Sequence, residues 1–465
     1  MAAIDPTQNA SDVNSLLKTS ADKYVSLGEL LDYNKPDNRD LLVKTYGDQG
    51  ITGFLQLTGA TRSGGTNDEV QYWEEGRLHK TVAVTNIAAA DAESDVSLTV
   101  ASYTNGTDNP VRLNDILLTP GGDRLVVTGL ADGSTVTCRS MDGSAVTVDD
   151  TDHNLPIIGN IYAQGTGQPS QFFQTDVTKR TNPYFITKET YHVNGSQATN
   201  IGWINIGNGD YRWYVKGEMD TRKRFMNQRE MMMLLSQKWG EDLGNDSNDS
   251  IALAGGEKSA GSEGYFDAIE HRGITTTGTF GDGAGFADID EIIFELDKQG
   301  APAEYAMYVD TATSLKIDDM LAAGIATQTT AGLPGQFGAF QNSADMAVQL
   351  GFKSFSRGSY TFHKHGWKLL SDPTLLNSFN AGEKPYLGAM IPMTQVTDAK
   401  TGTKAPALEM NFKETNGYSR ELEHWVEGGG VLGFKTNDED LAKFHYRSEC
   451  NLITRAANQH VLLKA

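Results

Sequence analysis

The chain has 465 residues and a strongly acidic balance, with 60 Asp and Glu against 39 Lys and Arg and a formal net charge of -21. That charge argues against a general nucleic-acid-binding protein, which needs clustered Lys and Arg to release counterions from phosphates. No run of about 18 apolar residues occurs, so we expect no membrane-spanning helix. The length predicts about two to four domains. Two cysteines, Cys138 and Cys450, do not make a disulfide framework and fit a reducing compartment.

Residues 1–46 are typical of an arm rather than a domain. The stretch 12–34 predicts one or two short amphipathic helices, and Asn34–Asn38 contains the breaking residues that end them. The first residues lack the basic and apolar regions of a secretory signal, so we expect none. Because so short a segment cannot bury its apolar side chains alone, we expect it to dock on its own body or on a neighbour.

Residues 47–82 predict extended structure. Apolar residues at Phe54–Leu57 precede a run of small residues at Ser63–Asn67, and Val70–Trp73 follow it. This pattern predicts a β-hairpin with its turn at Ser63–Asn67.

Residues 83–152 form an all-β island. Short β-prone runs alternate with Gly, Asn, Asp and Pro turns at regular intervals, which predicts a small barrel or sandwich inserted into the extended element around it. Residues 153–215 return to extended sequence without the Leu, Ile and Val density of a packed core.

The longest predicted helix spans 219–243, with Asp220 as its N-cap. Its apolar residues recur at spacings of three, four and seven, which places them on one face. We interpret this stripe as core or interface packing, and it consists of Phe225, Met232, Leu235, Trp239 and Leu243.

After a Gly- and Ser-rich connection, the sequence alternates between helical and strand patterns, which predicts an α/β body. A helix at 286–300 stops at Gly300, and a strand follows at 304–310. A second helix, 311–324, ends at a glycine. A third helix at about 343–350 and a strand pair at 351–367 complete the body. The last strands, within 386–463, return to the sheet of the long helix.

The chain shows no catalytic, cofactor-binding or metal-binding motif on which to base a site. Glu74 and Glu75 suggest a glycosidase pair, but adjacent strand residues point to opposite faces and cannot flank one bond. The glycines of Gly281–Gly285 resemble part of a dinucleotide-binding loop, yet no strand directly precedes them.

Two further clusters leave alternatives open. His363 and His365 stand two apart on a predicted strand, as some metal ligands do, although surface histidines are the simpler interpretation. The acidic run Asp438–Asp440 either begins a helix or holds calcium, and it lacks the alternating ligand spacing of calcium loops.

Five stretches together resemble the major capsid proteins of tailed double-stranded DNA phages with the Hong Kong ninety-seven type of fold. Within that group they are most similar to the capsid proteins of the crAss-like phages. The stretches are GFLQLTGATRSGG with EVQYWEEGRL, DTRKRFMNQREMMMLLSQKW, YFDAIEHRGI, DIDEIIFELDKQGAPAEYAMYVD and SRELEHWVEGGGVLGFKTNDEDLAKFHYRSECNLI.

The resemblance implies an α+β, phage capsid-type fold with five parts. They are an N-terminal arm at 1–46, an extended loop at 47–82 and 153–215, an all-β insertion domain at 83–152, a peripheral domain at 216–285 and 441–465 with spine helix 219–243, and an axial α/β domain at 286–440.

The resemblance also implies a structural, non-enzymatic protein that self-assembles into hexamers and pentamers of an icosahedral head around double-stranded DNA. Its implied partners are further copies of itself, with portal, scaffold and auxiliary or decoration head proteins, and packaged DNA nearby without specific binding. No membrane is implied, and assembly would occur in the bacterial host cytoplasm. Since the sequence shows no large scaffolding segment, we expect a separate scaffold or none. Self-crosslinking is not implied, because no matching Lys and Asn pair is evident.

Two other classes remain as alternatives. A phage tail or adhesion protein could bind host glycans through the β-island, but it should show internal repeats or long β-helical runs. A secreted acidic carbohydrate-active enzyme should carry a signal peptide and paired carboxylates at strand ends.

Overall fold

The structure is a computed structural model that describes most of the chain from residue 61 onward. The described residues are 61–79, 81–88, 95–100, 111–132, 135–146, 151–169, 175, 177–199, 213–239, 251–254, 256–278, 280, 286–330, 353–372, 384–393, 395–397, 404–433 and 435–465. The predicted arm 1–46, the predicted strand at Phe54–Leu57, the helix 343–350 and the loop Gly281–Gly285 lie outside these residues.

The described strands are numbered in chain order. They are β1 (Thr61–Gly65), β2 (Glu69–Glu75), β3 (Thr81–Ile87), β4 (Val96–Val100), β5 (Asp115–Leu118), β6 (Arg124–Asp132), β7 (Thr135–Ser140), β8 (His153–Asn160), β9 (Val177–Pro183), β10 (Phe185–Asn194), β11 (Ile251–Ala252), β12 (Lys258–Ser259), β13 (Ile274–Thr277), β14 (Glu304–Val309), β15 (Ser354–Arg357), β16 (Tyr360–Gly366), β17 (Tyr386–Pro392), β18 (Gln395–Thr397), β19 (Lys404–Pro406), β20 (Leu408–Thr415), β21 (Tyr418–Ser419), β22 (Glu423–Gly428), β23 (Leu441–Thr454) and β24 (Val461–Lys464).

The structure describes fewer helices than strands. They are α1 (Gly195–Thr199), α2 (Trp213–Leu235), α3 (Tyr265–Arg272), α4 (Phe286–Lys298), α5 (Thr311–Thr330) and α6 (Lys368–Ser371), with short 3-10 turns at Val431–Gly433 and Ala457–Gln459.

Two six-stranded sheets build the body of the molecule. In the first sheet, called here the helix-covered sheet, the order is β1-β20-β23-β10, with β21 on β20 and β22 on β23. In the second sheet the order is β13-β24-β17-β14-β16-β15. One hydrophobic core takes residues from both sheets and from α2 and α3, including Met410, Ile391, Leu234 and Phe266. The two sheets therefore pack as one unit.

The β-island folds as a closed six-stranded barrel in the order β3-β4-β7-β6-β5-β8. Alternate residues of its strands point inward, as the burial of Val82 and Val84 on β3 shows, and they form a separate core. The strands run from Thr81 to Asn160, beyond both edges of the compositional island 83–152. The ends of β3 and β8 lie outside 83–152 because their composition is more polar than that of the island. Both strands are nevertheless needed to close the barrel.

The predicted β-hairpin is wrong. Ser63 and Gly65 lie in β1, which pairs in parallel with β20, and β2 pairs with β9. The small residues therefore continue a strand instead of turning it.

The long helix is shifted toward the N-terminus relative to the predicted span 219–243. Asp220 is an exposed residue within α2 instead of an N-cap, and Gly217 lies inside the helix. A Cβ atom on Gly217 would overlap the ring and hydroxyl of Tyr191, so the close crossing of α2 over β10 favours a glycine here. At the other end, the backbone N–H of Trp239 donates to the backbone carbonyl of Ala260 at 2.9 Å. This bond draws 236–239 out of the helix.

The apolar stripe on this helix is also only partly correct. Phe225 is buried, but Met232 and Trp239 are 41% and 45% exposed, and Leu235 is half-buried; Leu243 lies outside the described residues. The buried face repeats every four residues through Thr221, Phe225, Arg229 and Met233. An apolar count misses this face because two of its members are polar.

Two helices in the second half, α4 and α5, are each predicted to end at a glycine, and only the first of them does. The N–H of Gly300 bonds to Asp297 at 2.9 Å and that of Ala301 to Leu296 at 3.1 Å, with Gly300 at φ +62°, so the predicted glycine stop of α4 is confirmed. The predicted stop of the next helix at Gly324 is wrong, because α5 continues to Thr330. A helix-interior glycine costs about 1 kcal/mol, which tertiary packing can offset.

Candidate assembly surfaces

β2 and β9 form a two-stranded ribbon that links the barrel to the body. β2 precedes the first barrel strand, β9 follows the last, and the two pair from Glu69 with Pro183 to Glu75 with Val177. Adjacent residues point to opposite faces of the ribbon: Tyr72 is 9% exposed, whereas Trp73 is 65% exposed. The ribbon therefore has one face fastened to the body and one open face.

A fully buried asparagine fixes the base of the ribbon. The Asn182 side chain donates to the carbonyls of Leu452 (2.6 Å) and Glu263 (3.1 Å) and accepts from the Ser262 hydroxyl (3.0 Å) and the Glu263 N–H (2.9 Å). A neutral amide offers two donors and an acceptor oxygen with two lone pairs, and all of them are used. Asn182 thus joins β9, β23 and the segment before α3.

A buried charge network lies beside this amide. Arg272 of α3 donates to the Tyr72 hydroxyl at 3.1 Å and to the Glu263 carboxylate, and the Tyr72 hydroxyl donates to the Thr454 carbonyl at 3.2 Å. Burial raises the pKa of Tyr72 to about 12, with the Arg272 charge opposing the shift. Burial alone lowers the pKa of Arg272, but Glu263 and Tyr72 outweigh it and leave the pKa raised. Tyr72 is therefore neutral and Arg272 is charged at neutral pH.

Glu74 and Glu75, the carboxylates singled out in the sequence, lie on opposite faces of the ribbon. Glu74 is half-buried, with its carboxylate 3.4 Å from Arg180 and 3.6 Å from Arg272. Glu75 lies on the other face and accepts a hydrogen bond from Thr175 at 3.0 Å. Glu74 has a structural role in the network, and the two carboxylates do not share a site.

Beyond the ribbon, Arg77 caps a helix of the second half. Its guanidinium donates to the Lys298 carbonyl at 2.7 Å and to the Gln299 side chain at 3.1 Å. The last carbonyls of a helix lack intrahelical partners, and a cation there is favoured by the helix dipole. The approach to the barrel is thereby fixed to the C-terminal end of α4.

The open face of the ribbon exposes apolar groups. Trp73 and Val177 are 65% and 54% exposed, and Leu78 just beyond β2 is also exposed. Exposed apolar side chains that cluster mark interaction surfaces more often than isolated ones do.

A second apolar surface lies between α2 and β10. Met231, Met232 and Leu235 of α2 face Thr187 and Lys188 of β10 across an open cleft of about 510 Å³. β10 pairs only with β23 among the described residues, so its other edge carries backbone groups without a ladder partner there. The cleft combines flexible methionines, which adapt to irregular partners, with a free sheet edge.

Beneath this cleft, Arg229 of α2 is buried without a carboxylate within ion-pair distance among the described residues. Its guanidinium donates to the Glu421 carbonyl at 3.0 Å and the Ser448 hydroxyl at 3.3 Å, and it lies 5.4 Å from the Phe412 ring centre. The four-residue spacing from Phe225 could have indicated its burial, but its charge hides it from an apolar count.

The two histidines singled out in the sequence lie together on β16 without a metal site. His365 stacks on Tyr308 at 5.2 Å between ring centres, and burial, with His363 adding to it, lowers the pKa of His365. Across the described residues, no group of three His, Cys, Asp or Glu side chains could hold a metal ion.

The acidic run Asp438–Asp440 does not begin a helix, so that prediction is wrong. β23 begins directly after it at Leu441, and Glu439 pairs with Lys443 at 2.6 Å. Long-range pairing with β10 and β22 makes the residues from Leu441 onward a strand, and Asp438–Asp440 form the bend before it.

Both cysteines are unpaired thiols in separate cores. Cys138 lies inside the barrel and Cys450 on β23 in the body. Burial raises the pKa of each thiol to about 12, so neither carries appreciable reactive thiolate at neutral pH. Among the described residues, no helix is both long and apolar enough to span a bilayer.

Comparison with known proteins gives structural neighbours only. No protein-family model matches the chain, and no curated protein does. The solved structures to which it is similar include the holo-SrpI encapsulin complex from Synechococcus elongatus, at 10% identity over 62% of this chain and 77% of that one, with a TM-score of 0.33. They also include the capsid structure of Cyanophage P-SCSP1u, at 11% identity over 66% and 79%, with a TM-score of 0.33.

A chain of Mycobacterium phage Cain is similar over 95% of this chain and 98% of its own, at 9% identity and a TM-score of 0.37. Similarity at this level does not assign a family or a function to the chain. The neighbours do not distinguish the narrower resemblance to crAss-like phages, which stays a prediction.

Proposed function

We propose that this chain is a major capsid protein whose copies assemble into the hexamers and pentamers of a phage head around double-stranded DNA. The observation that carries the proposal is the two-faced ribbon. One face is fixed to the body by Asn182, Tyr72 and Arg272, while the other presents Trp73 and Val177 to solvent. A rigidly held ribbon with an apolar open face is suited to covering a neighbouring copy.

The cleft between α2 and β10 is the surface that we propose receives this ribbon. It offers Met231, Met232 and Leu235 to the exposed Trp73. Methionine and aromatic side chains make favourable contacts, and a buried Trp is a frequent centre of binding energy. Such a contact joins two different surfaces, and it forms a ring when the rotation between neighbouring copies closes.

Charge supports the same pairing. Glu69 and Glu75 lie on β2, whereas Lys188 lines the cleft. Opposite charges across an interface favour the correct partner and orientation more than they add affinity.

The remaining parts of the molecule take their roles from this arrangement. We propose that residues 1–46 are an arm on a neighbouring copy. We also propose that the barrel, whose strands run from Thr81 to Asn160, is the insertion domain, and that the rest of 47–215 is the extended loop. The peripheral domain would comprise 216–285 and 441–465, and the axial domain 286–440. The role is structural and non-enzymatic.

The proposed partners and location follow from that role. Portal, scaffold and decoration proteins would be further partners in the virion. Packaged DNA would lie nearby without specific binding, consistent with the net charge of -21. Assembly would take place in the host cytoplasm.

Disulfide trapping between copies tests the ribbon contact. Trp73→Cys copies are mixed with Met232→Cys copies under mild oxidation, so a Trp73–Met232 disulfide can form only between two chains. The native thiols of Cys138 and Cys450 are buried, so we expect them not to form disulfides under these conditions. We expect a covalent dimer from this mixture and little from Met141→Cys mixed with Met232→Cys, in which Met141 is a similarly exposed barrel residue. Equal yields from both mixtures would reject the contact.

A further inference from the structure

Two Asn–Gly pairs lie among the described residues, and the fold holds them differently. Asn416–Gly417 forms the loop between β20 and β21, whereas Asn194–Gly195 joins the end of β10 to the start of α1. In an Asn–Gly pair the following backbone nitrogen can approach the asparagine side-chain amide with least obstruction, because glycine has no Cβ. The two pairs therefore present the same reactive groups in two structural settings.

The pair Asn416–Gly417 is exposed at the tip of a hairpin. Thr415 pairs with Tyr418 across the hairpin, so Asn416 and Gly417 are its two loop residues. Both are exposed, and Gly417 adopts a left-handed φ of +82°. Among the described residues, neither the Asn416 side chain nor the Gly417 N–H has a hydrogen-bond partner. The backbone nitrogen and the side-chain amide are thus both available to react.

The pair Asn194–Gly195 is held at both reacting groups. The Asn194 side-chain oxygen accepts a hydrogen bond from the Gln197 N–H at 2.8 Å. The Gly195 N–H donates to the Asp440 carbonyl at 3.2 Å. Attack at this pair requires the Gly195 nitrogen to leave the Asp440 carbonyl and the Asn194 side chain to turn away from Gln197.

We propose that Asn416 is a site of spontaneous deamidation in the folded chain, and that the fold protects Asn194 from the same reaction. The Gly417 nitrogen loses its proton and bonds to the side-chain carbonyl carbon of Asn416, and ammonia leaves. Water then opens the resulting cyclic succinimide. Opening at the main-chain carbonyl gives isoaspartate, and opening at the side-chain carbonyl gives aspartate. The net reaction consumes water and releases ammonia in equal amounts.

The product changes a hairpin whose base is held to the sheet by charge. Arg420, which follows β21, lies 2.6 Å from the Glu449 carboxylate, and Lys413 of β20 lies 3.2 Å from the same carboxylate. Isoaspartate adds a carbon to the main chain of the loop and places a new carboxylate there. Because hairpin register depends on loop length, we expect the Thr415–Tyr418 pair to loosen while the base stays closed.

Peptide mass spectrometry of the purified full chain, incubated in mildly alkaline buffer and sampled over time, tests the proposal. We expect deamidation in the folded chain to be about tenfold or more faster at Asn416 than at Asn194, where two hydrogen bonds must open first. In urea both pairs lose their structure, so the two rates should converge. Fragmentation of the Asn416 peptide should show isoaspartate as well as aspartate.

The matched variants change one loop glycine each. Gly417→Ala places a Cβ beside the attacking nitrogen and should slow the reaction at Asn416 in both the folded and the urea-unfolded chain. Gly165→Ala should leave that rate unchanged, because Gly165 is another exposed glycine at φ +82° with nothing within 4 Å of an added Cβ.

Equal rates at Asn416 and Asn194 in the folded chain would overturn the proposal. So would a rate difference that persists in urea, because it would then come from the neighbouring sequence and not from the fold. The reaction takes place within one copy, so failure of the capsid proposal would leave this result unchanged.

Discussion

At the residue scale, we expect the polar groups that fix the ribbon to the body to contribute more to the free energy of unfolding than any apolar residue in the ribbon. Arg272 and Glu263 are both nearly buried, and removing Arg272 takes the cation of this ion pair away from the Glu263 carboxylate. Breaking a buried ion pair in this way costs about 3–5 kcal/mol.

We therefore expect Arg272→Gln to lower the free energy of unfolding by about 3–5 kcal/mol, measured by urea denaturation. The matched control is Lys298→Gln, which removes the exposed Lys298–Glu295 pair and should cost no more than about 1 kcal/mol. Similar losses in the two variants would contradict the importance given to the buried network.

A second residue-scale prediction concerns acid stability. His460 is fully buried against Tyr265, and burial lowers its pKa to about 3. Between that value and the ordinary pKa of about 6.5, the unfolded chain binds a proton that the folded chain does not. The His460 contribution to stability is thus complete above about pH 6.5 and is lost as the pH falls.

The measurement is the urea midpoint at pH 7 and pH 5. We expect the native chain to lose stability over this range, and His460→Gln to lose less. A variant with the same pH dependence as the native chain would show that other groups cause it.

Few of the polar contacts that hold the ribbon on the body could be predicted from the sequence at this scale. Asn182 and Arg272 at the base of the ribbon, like Arg229 on α2, are polar residues in segments that an apolar count ignores, and their partners lie far away in the sequence. Arg229 alone had a local signal, its four-residue spacing from Phe225 and Met233.

At the element scale, local rules hold where the element is controlled by its own residues. Gly300 ends α4 because its backbone closes the last turn, and the strand at 304–310 follows as expected. The rules fail where distant contacts decide, as in β1, which pairs with β20 across most of the chain. The hairpin, the acidic run at Asp438–Asp440 and the bounds of α2 are wrong for that same reason.

Gly217 gives the prediction at this scale. Alanine normally stabilises a helix interior by about 1 kcal/mol over glycine, but its Cβ would overlap the ring and hydroxyl of Tyr191. We expect Gly217→Ala to be destabilising, and Gly217→Ala combined with Tyr191→Phe to recover part of the loss. The control is Gly159→Ala in β8, where nothing lies within 4 Å of a Cβ. A thermal melt in which Gly217→Ala is the more stable variant would contradict the close crossing.

At the scale of the whole molecule, the barrel has a core of its own, and the two sheets share another. Regular turns made an all-β module predictable from sequence, whereas closure with β3 and β8 required the structure.

Because its core draws only on residues between Val82 and Ile157, we expect residues 79–163 to fold alone. The measurement is a cooperative thermal transition together with a Cys138 thiol that resists labelling. Immediate labelling and a non-cooperative melt would show that the barrel depends on the body.

In the proposed assembly through the ribbon, the oligomer is the functional object. Its most direct test is negative-stain electron microscopy of the purified chain, with sedimentation velocity on the same sample. We predict closed shells, tubes, or five- and six-membered rings, and their loss in Trp73→Ser but not in the barrel variant Met141→Ser. A compact monomer at high concentration, with residues 1–82 protected from limited proteolysis, would contradict the capsid proposal.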